Sequence, residues 1–122
     1  MKKRWLIVDD SRVVRAIARE MLEELGFATE EADNGENALA ACRVRMPDAV
    51  LLDWNMPVMN GIDFLRELRG MSGGTAPKVF FCTTENDMPH IVEALNAGAD
   101  EFIMKPFDAE ILASKLALQG LV

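Results

Sequence analysis

Long apolar runs are missing from this chain of 122 residues. None approaches the roughly 20 residues that span a bilayer. The start, Met1-Lys2-Lys3-Arg4, leads into only a few apolar residues before Asp9-Asp10, too few for the apolar region of a signal peptide. A membrane-spanning or exported protein is therefore not expected, and the cytoplasm is the expected compartment. Cysteine is scarce: Cys42 and Cys82 stand far apart and make no metal-binding spacing, so buried reduced thiols are expected. Positive charge is in deficit, with a formal net charge of −7 and no basic patch. That balance argues against nucleic acid or an anionic membrane as the main partner. A glycine-rich nucleotide-binding loop is absent. No Ser/Thr-rich phosphate loop follows the first apolar run, as flavodoxin-like cofactor binding would need. The Asp-x-Asp of an aspartate-nucleophile phosphatase is also missing, because the chain reads Asp9-Asp10-Ser11.

What is present is a set of four short apolar runs, each ending in a polar residue. Trp5–Val8 runs into Asp9-Asp10, Ala49–Leu52 into Asp53, Val79–Cys82 into Thr83-Thr84, and Phe102–Met104 into Lys105-Pro106. Apolar runs alternate with helix-period segments throughout, which reads as an α/β fold with a parallel sheet. The first helix is expected over about 11–25, capped by Ser11 and stopped by Gly26, with Val14, Ile17, Ala18, Met21, Leu22 and Leu25 on its apolar face. Residues 27–32 read as a weakly alternating strand with two glutamates, suited to a sheet edge. A second helix is expected over about 36–45 and a fully buried strand over 49–53. The loop 54–60 precedes a third helix over about 62–69, and 78–82 reads as the fourth strand. Pro89 can open a fourth helix ending at Gly98. A fifth strand lies within 99–104. Asp108 caps a fifth helix with Ile111, Leu112 and Leu116 inward. The expected architecture is a doubly wound, five-stranded parallel sheet with five helices, as one domain over 1–122 with no effector domain.

In such sheets ligands bind outside the carboxyl ends of the strands. Asp10, Asp53, Thr83 and Lys105 all fall on that edge. Neighbouring strands lie about 4.8 Å apart. If the first and third strands are adjacent, two carboxylates about 5 Å apart repel by about 3 kcal/mol at an effective dielectric near 20. Asp9 adds to that repulsion, so the cluster must take up protons or hold a cation. A hard divalent ion fits an all-oxygen set, and Mg2+ is the usual companion of phosphate. Lys105 can reach across about one strand spacing to an oxygen of Asp53. Taken singly, each feature has a plain structural explanation: a helix cap, a strand end, a good strand residue. Their coincidence on one edge does not.

These residues carry a resemblance over the whole chain to the CheY-like receiver domains of two-component response regulators. The matching motifs are Asp9-Asp10, Asp53-Trp54-Asn55-Met56-Pro57 leading to Gly61, Thr83, and Lys105-Pro106-Phe107. The resemblance implies a strand order of 2-1-3-4-5, for which this family is itself a standard example. It implies that Asp53 accepts a phosphoryl group from a phosphohistidine on a sensor histidine kinase or a histidine phosphotransfer protein. Asp10, Asp53 and the backbone carbonyl of Asn55 would hold Mg2+ directly, with Asp9 assisting. Lys105 and Thr83 would bind phosphoryl oxygens. Asn55 and Glu85 would tune dephosphorylation. Thr83 and Phe102 would form the switch, with Phe102 standing where many relatives carry tyrosine. Output would pass through the face of the fourth helix, fifth strand and fifth helix, with Ile91, Leu95, Phe102, Met104 and Lys115 as candidates. A phosphorylation-dependent switch, in chemotaxis or a phosphorelay, is the expected function. It is expected to catalyse only its own phosphorylation and dephosphorylation. The alternative is a receiver that is never phosphorylated and acts only as an interaction module.

Two further features remain open at this level. Arg12, Arg15 and Arg19 share one sector of the first helix, either as a solvated face or as a docking site for an acidic partner. His90, the single histidine, is expected on the surface rather than as a ligand.

Overall fold

The central strands alternate between two apolar environments, and this sets the architecture of the computed structural model, which describes residues 2–84 and 88–122. Five parallel strands, β1 (Arg4–Val8), β2 (Ala28–Ala32), β3 (Ala49–Asp53), β4 (Lys78–Thr83) and β5 (Glu101–Met104), form one sheet in the order β2-β1-β3-β4-β5. Five helices separate them: α1 (Arg12–Glu24), α2 (Gly35–Val44), α3 (Gly61–Gly70), α4 (Met88–Asn96) and α5 (Ala109–Leu118). Leu6, Val8, Val50, Leu52, Val79 and Phe81 point to one face and pack with α2, α3 and α4. Trp5, Ile7, Leu51, Phe80, Cys82 and Ile103 point to the other and pack with α1 and α5. The period of two along each strand is the physical source of this division. Both faces are covered, so β3 and β4 are apolar at nearly every position.

Ser11 and Asp108 cap α1 and α5 as expected, each accepting a hydrogen bond from the backbone N–H three residues on. Asn34 and Asn60, which the sequence pattern places in a turn and a loop, cap α2 and α3 in the same way. The glutamate-bearing strand β2 lies at the sheet edge.

Three inward expectations are corrected. Ile111 is 44% exposed; on α5 only Leu112 and Leu116 are buried, because a helix lying on a sheet buries a narrow stripe and Ile111 falls outside it. On α1 the buried residues are Ala18 and Leu22, whereas Ile17 and Leu25 are exposed. Ile17 instead borders a cavity of about 320 Å³ between α1 and the Lys105-Pro106-Phe107 segment.

Candidate functional site

The register of the sheet brings the acids together before any side chain is placed. Val8 pairs with Leu52, so the next residues, Asp9 and Asp53, leave adjacent strand ends side by side. Thr83 pairs with Met104 one strand further along, beside Lys105. Asp9, Asp10 and Asp53 each offer a carboxylate oxygen within 4.8 Å of the others. Asp9 and Asp53 are buried, and Asp10 is exposed.

Lys105 bridges the two buried acids. Its Nζ donates to Asp9 Oδ2 at 2.7 Å and to Asp53 Oδ1 at 3.1 Å. The shorter contact goes to Asp9, a partner the sequence reading did not assign to Lys105. The Lys105–Pro106 peptide is cis. Asp53 Oδ1 also accepts the backbone N–H of Trp54 at 2.9 Å. Both donors therefore engage one oxygen, and among the described residues Oδ2 of Asp53 accepts none.

Burial pushes the Asp53 carboxyl group above its ordinary range, and the charge of Asp9 adds to the rise; Lys105 and the Trp54 N–H pull the other way without cancelling it. For Lys105, burial favours the neutral amine, but the Asp9 hydrogen bond and the charges of Asp53 and Asp9 outweigh it, so the ammonium is held above its usual range. Three carboxylates against one ammonium leave two negative charges in the pocket. A divalent cation with a preference for oxygen ligands balances that charge, and the donor set fits Mg2+ or another hard ion.

The loop beyond Asp53 is shaped by two backbone constraints. Gly61, at the start of α3, has no room for a side chain: a Cβ there would lie 2.0 Å from the carbonyl oxygen of Asp53. Its N–H donates to Trp54 O at 2.9 Å. Val58 has a φ of 69°, a left-handed conformation that strains a β-branched residue. The turn it centres is closed by Met59 N–H donating to Pro57 O at 2.7 Å. Asn55 is exposed in the same loop.

Other expectations are redistributed. Arg15 and Arg19 are not simply solvated, because both pair with Glu31 on β2, at 2.9 and 3.1 Å. Arg12 remains exposed. His90 is half-buried and meets the Trp54 ring edge-on at 5.0 Å, while Trp54 also packs on Phe81 at 4.9 Å. The ring of Phe102 lies beneath the Lys115 ammonium, 4.6 Å from its centroid, and Lys115 pairs with Glu101 at 3.3 Å. Ile91, Met104 and Lys115 are half-buried and Leu95 is exposed, so all four reach the surface. Cys42 and Cys82 are free and buried, with burial as the main cause lifting their thiols to about 11 and about 12. Glu85 lies outside the described residues. No described helix is long and apolar enough to cross a membrane.

Residues 5–117 match the family model of the response regulator receiver domain. The chain is 40% identical over 112 residues to the chemotaxis protein CheY of Pseudomonas aeruginosa, covering 91% of this chain and 90% of that one. It is 42% identical to chemotaxis protein CheY-3 of Vibrio cholerae, covering 91% of this chain and 86% of that one. A solved structure of Vibrio cholerae CheY4 superposes with a TM-score of 0.91 at 31% identity, covering 100% of both chains.

Proposed function

Because this chain belongs to the response regulator receiver domain family, we propose that Asp53 accepts a phosphoryl group from a sensor histidine kinase or a histidine phosphotransfer protein, with Mg2+ in the adjoining pocket. Proteins of this kind are signalling components rather than ordinary enzymes. The observation that carries the assignment is Lys105, clamped between Asp9 and Asp53, beside an Asp53 oxygen that accepts no hydrogen bond among the described residues.

In the proposed transfer, Oδ2 of Asp53 attacks phosphorus. The P–N bond of the donor phosphohistidine breaks, its electron pair returns to the imidazole, and an acyl phosphate forms. Burial and the neighbouring Asp9 make the Asp53 carboxylate more basic than an ordinary one, and hence a stronger nucleophile once ionised. Trp54 N–H keeps the other oxygen in place. Lys105, steadied by Asp9, turns its ammonium to a phosphoryl oxygen, and the Thr83 hydroxyl takes another. Asp10, Asp53 and the Asn55 carbonyl would hold Mg2+, with Asp9 assisting; when bound, the ion would supply positive charge against the phosphoryl oxygens. The work is positioning and charge neutralisation, as phosphoryl transfer requires.

Output follows from the change at Thr83 and Lys105. Phe102 lacks the hydroxyl of a tyrosine, so its part in the switch rests on ring packing alone. The face built from α4, β5 and α5, with Ile91, Phe102 and Met104, is the proposed surface for a downstream protein. The relatives are named as chemotaxis proteins, and chemotaxis is the process proposed for this chain, in the cytoplasm. Asn55 and Glu85 are proposed to orient an attacking water, giving a phosphorylated lifetime of seconds to minutes.

The test is incubation with acetyl phosphate and Mg2+ followed by borohydride reduction, which converts an aspartyl phosphate to homoserine. Mass spectrometry is expected to find homoserine at position 53. Modification elsewhere, or none, contradicts the proposal; none would favour a receiver used only as an interaction module.

A further inference from the structure

Helical periodicity places Arg15 on the polar side of α1, yet its side chain turns back over the start of the helix and is only 16% exposed. Nη1 donates to the main-chain oxygen of Asp9 at 2.7 Å, and Nε donates to Glu31 Oε1 at 2.9 Å. Arg19 takes the other oxygen of Glu31 at 3.1 Å. The carbonyl that Arg15 grips belongs to the peptide joining Asp9 to Asp10. A peptide unit is planar, so fixing its oxygen fixes the direction in which the chain leaves Asp9 and the place from which Asp10 projects.

Asp9 is anchored at three further points. Its N–H donates to Ala32 O at 3.1 Å, Oδ1 accepts the Ser11 N–H at 2.8 Å, and Oδ2 accepts Lys105. The exposed Asp10 carboxylate has no such contact among the described residues, so its aim depends on the peptide behind it. We infer that Arg15, braced by Glu31 on the edge strand, is a positioning residue that sets how Asp10 approaches Asp53 in the divalent-ion pocket. The inference rests on the reading that Asp9, Asp10 and Asp53 hold Mg2+.

Charge and geometry predict opposite outcomes. A guanidinium beside a cation site repels the cation, so on charge alone its loss tightens Mg2+ binding. If Arg15 orients a ligand, its loss weakens binding, and groups of that kind typically account for about 10–100-fold in metal affinity. Mg2+ binding to the full chain, measured by calorimetry without any phosphodonor, separates the two.

Arg15→Gln is expected to bind Mg2+ about 10-fold more weakly, with circular dichroism confirming the fold. Glu31→Gln, which frees Arg15, is expected to show a smaller loss that persists in about 1 M salt, where exposed charges are screened beyond about 3 Å. The double variant is expected to bind no more weakly than Arg15→Gln, since both substitutions break one chain of contacts. Equal or tighter binding by Arg15→Gln, or additive losses, would overturn the inference. Should Arg15→Gln fail to fold, Arg15→Lys replaces it, because lysine keeps the charge but lacks the fork that reaches Glu31 and Asp9 together. Weaker binding supports the inference and unchanged binding contradicts it. Absence of Mg2+ binding by the parent chain would overturn the reading of the pocket itself, and that result is distinct from a parent and variant that bind alike.

Discussion

Asp53 sits where two demands conflict. In its proposed role as nucleophile the carboxylate must be ionised and shielded from water, yet burial and the charge of Asp9 both favour its protonated form. The metal-free protein carries this conflict as a stability penalty. The folded carboxyl group titrates above the ordinary value of 3.8, so the penalty is full above the folded pKa, shrinks as pH falls through it, and is gone below the unfolded value. Asp53→Asn is therefore expected to raise the melting temperature of the metal-free protein at neutral pH by about 4 °C, equivalent to about 1 kcal/mol for a domain of this size. The difference should vanish on acidification, as calorimetry at several pH values would reveal. Lys105 keeps Asp9 as a partner in that variant, so no new unpaired charge offsets the gain. Val58 stores a second local cost. Its left-handed φ of 69° is expensive for a β-branched side chain, and Val58→Gly is expected to stabilise the fold by about 1 kcal/mol in urea denaturation. Unchanged or lower stability would show that the side chain compensates through contacts elsewhere.

Elements are held in place by contacts that periodicity does not encode. Arg69, near the end of α3, donates to the carbonyls of Gly74, Pro77 and Gly98 and to Asp100 at 2.7–3.0 Å. One side chain thereby ties α3 to the loop before β4 and to the turn after α4. Asp100 in turn accepts the Val79 N–H at 2.8 Å. Arg69→Met keeps much of the packing volume but strips donors from these carbonyls and leaves Asp100 without its guanidinium. A loss of about 3 kcal/mol in denaturant unfolding is expected, and a loss below about 0.5 kcal/mol would place the staple among surface pairs of little consequence. The starts of α1 and α5 were legible because a cap is local: Ser11 and Asp108 need only a backbone N–H three residues on, whereas Asn34 and Asn60 do the same work from positions that also suit a turn or a loop. The Arg69 staple and the Arg15–Glu31 brace were not legible. Each joins residues distant in sequence, and arginines on a helix look alike until the neighbouring element is in place.

For the whole molecule, the parallel α/β architecture and the edge carrying Asp9, Asp10, Asp53, Thr83 and Lys105 could be read in advance from the residues, while the strand order came only as what the family resemblance implies. Apolar runs ending in polar residues, with helical segments between, admit few topologies. The finer geometry could not be read. The reach of Lys105 allowed contact with Asp53, but its shorter bond to Asp9 depends on β1 and β3 being in register, with β4 between β3 and β5. The outward turn of Ile111 and Ile17 depends on how wide a stripe each helix buries. His90 found Trp54 only because α4 docks beside the loop after β3. If this edge holds Mg2+ as proposed, the molecule couples protons to metal there. A Mg2+ ligand must be deprotonated, and Asp53 keeps its proton to higher pH than an ordinary carboxyl group. Mg2+ affinity is therefore expected to fall on acidification while the fold, followed by circular dichroism, is retained. A pH-independent affinity would remove Asp53 from the ligand set.

Radiolabel uptake from acetyl phosphate, comparing the parent with Asp53→Asn and each with and without a metal chelator, tests the central claim most directly. The account predicts labelling of the parent only when Mg2+ is available, and none of the variant under either condition. Equal labelling of Asp53→Asn, or labelling of the parent that survives chelation, would contradict it.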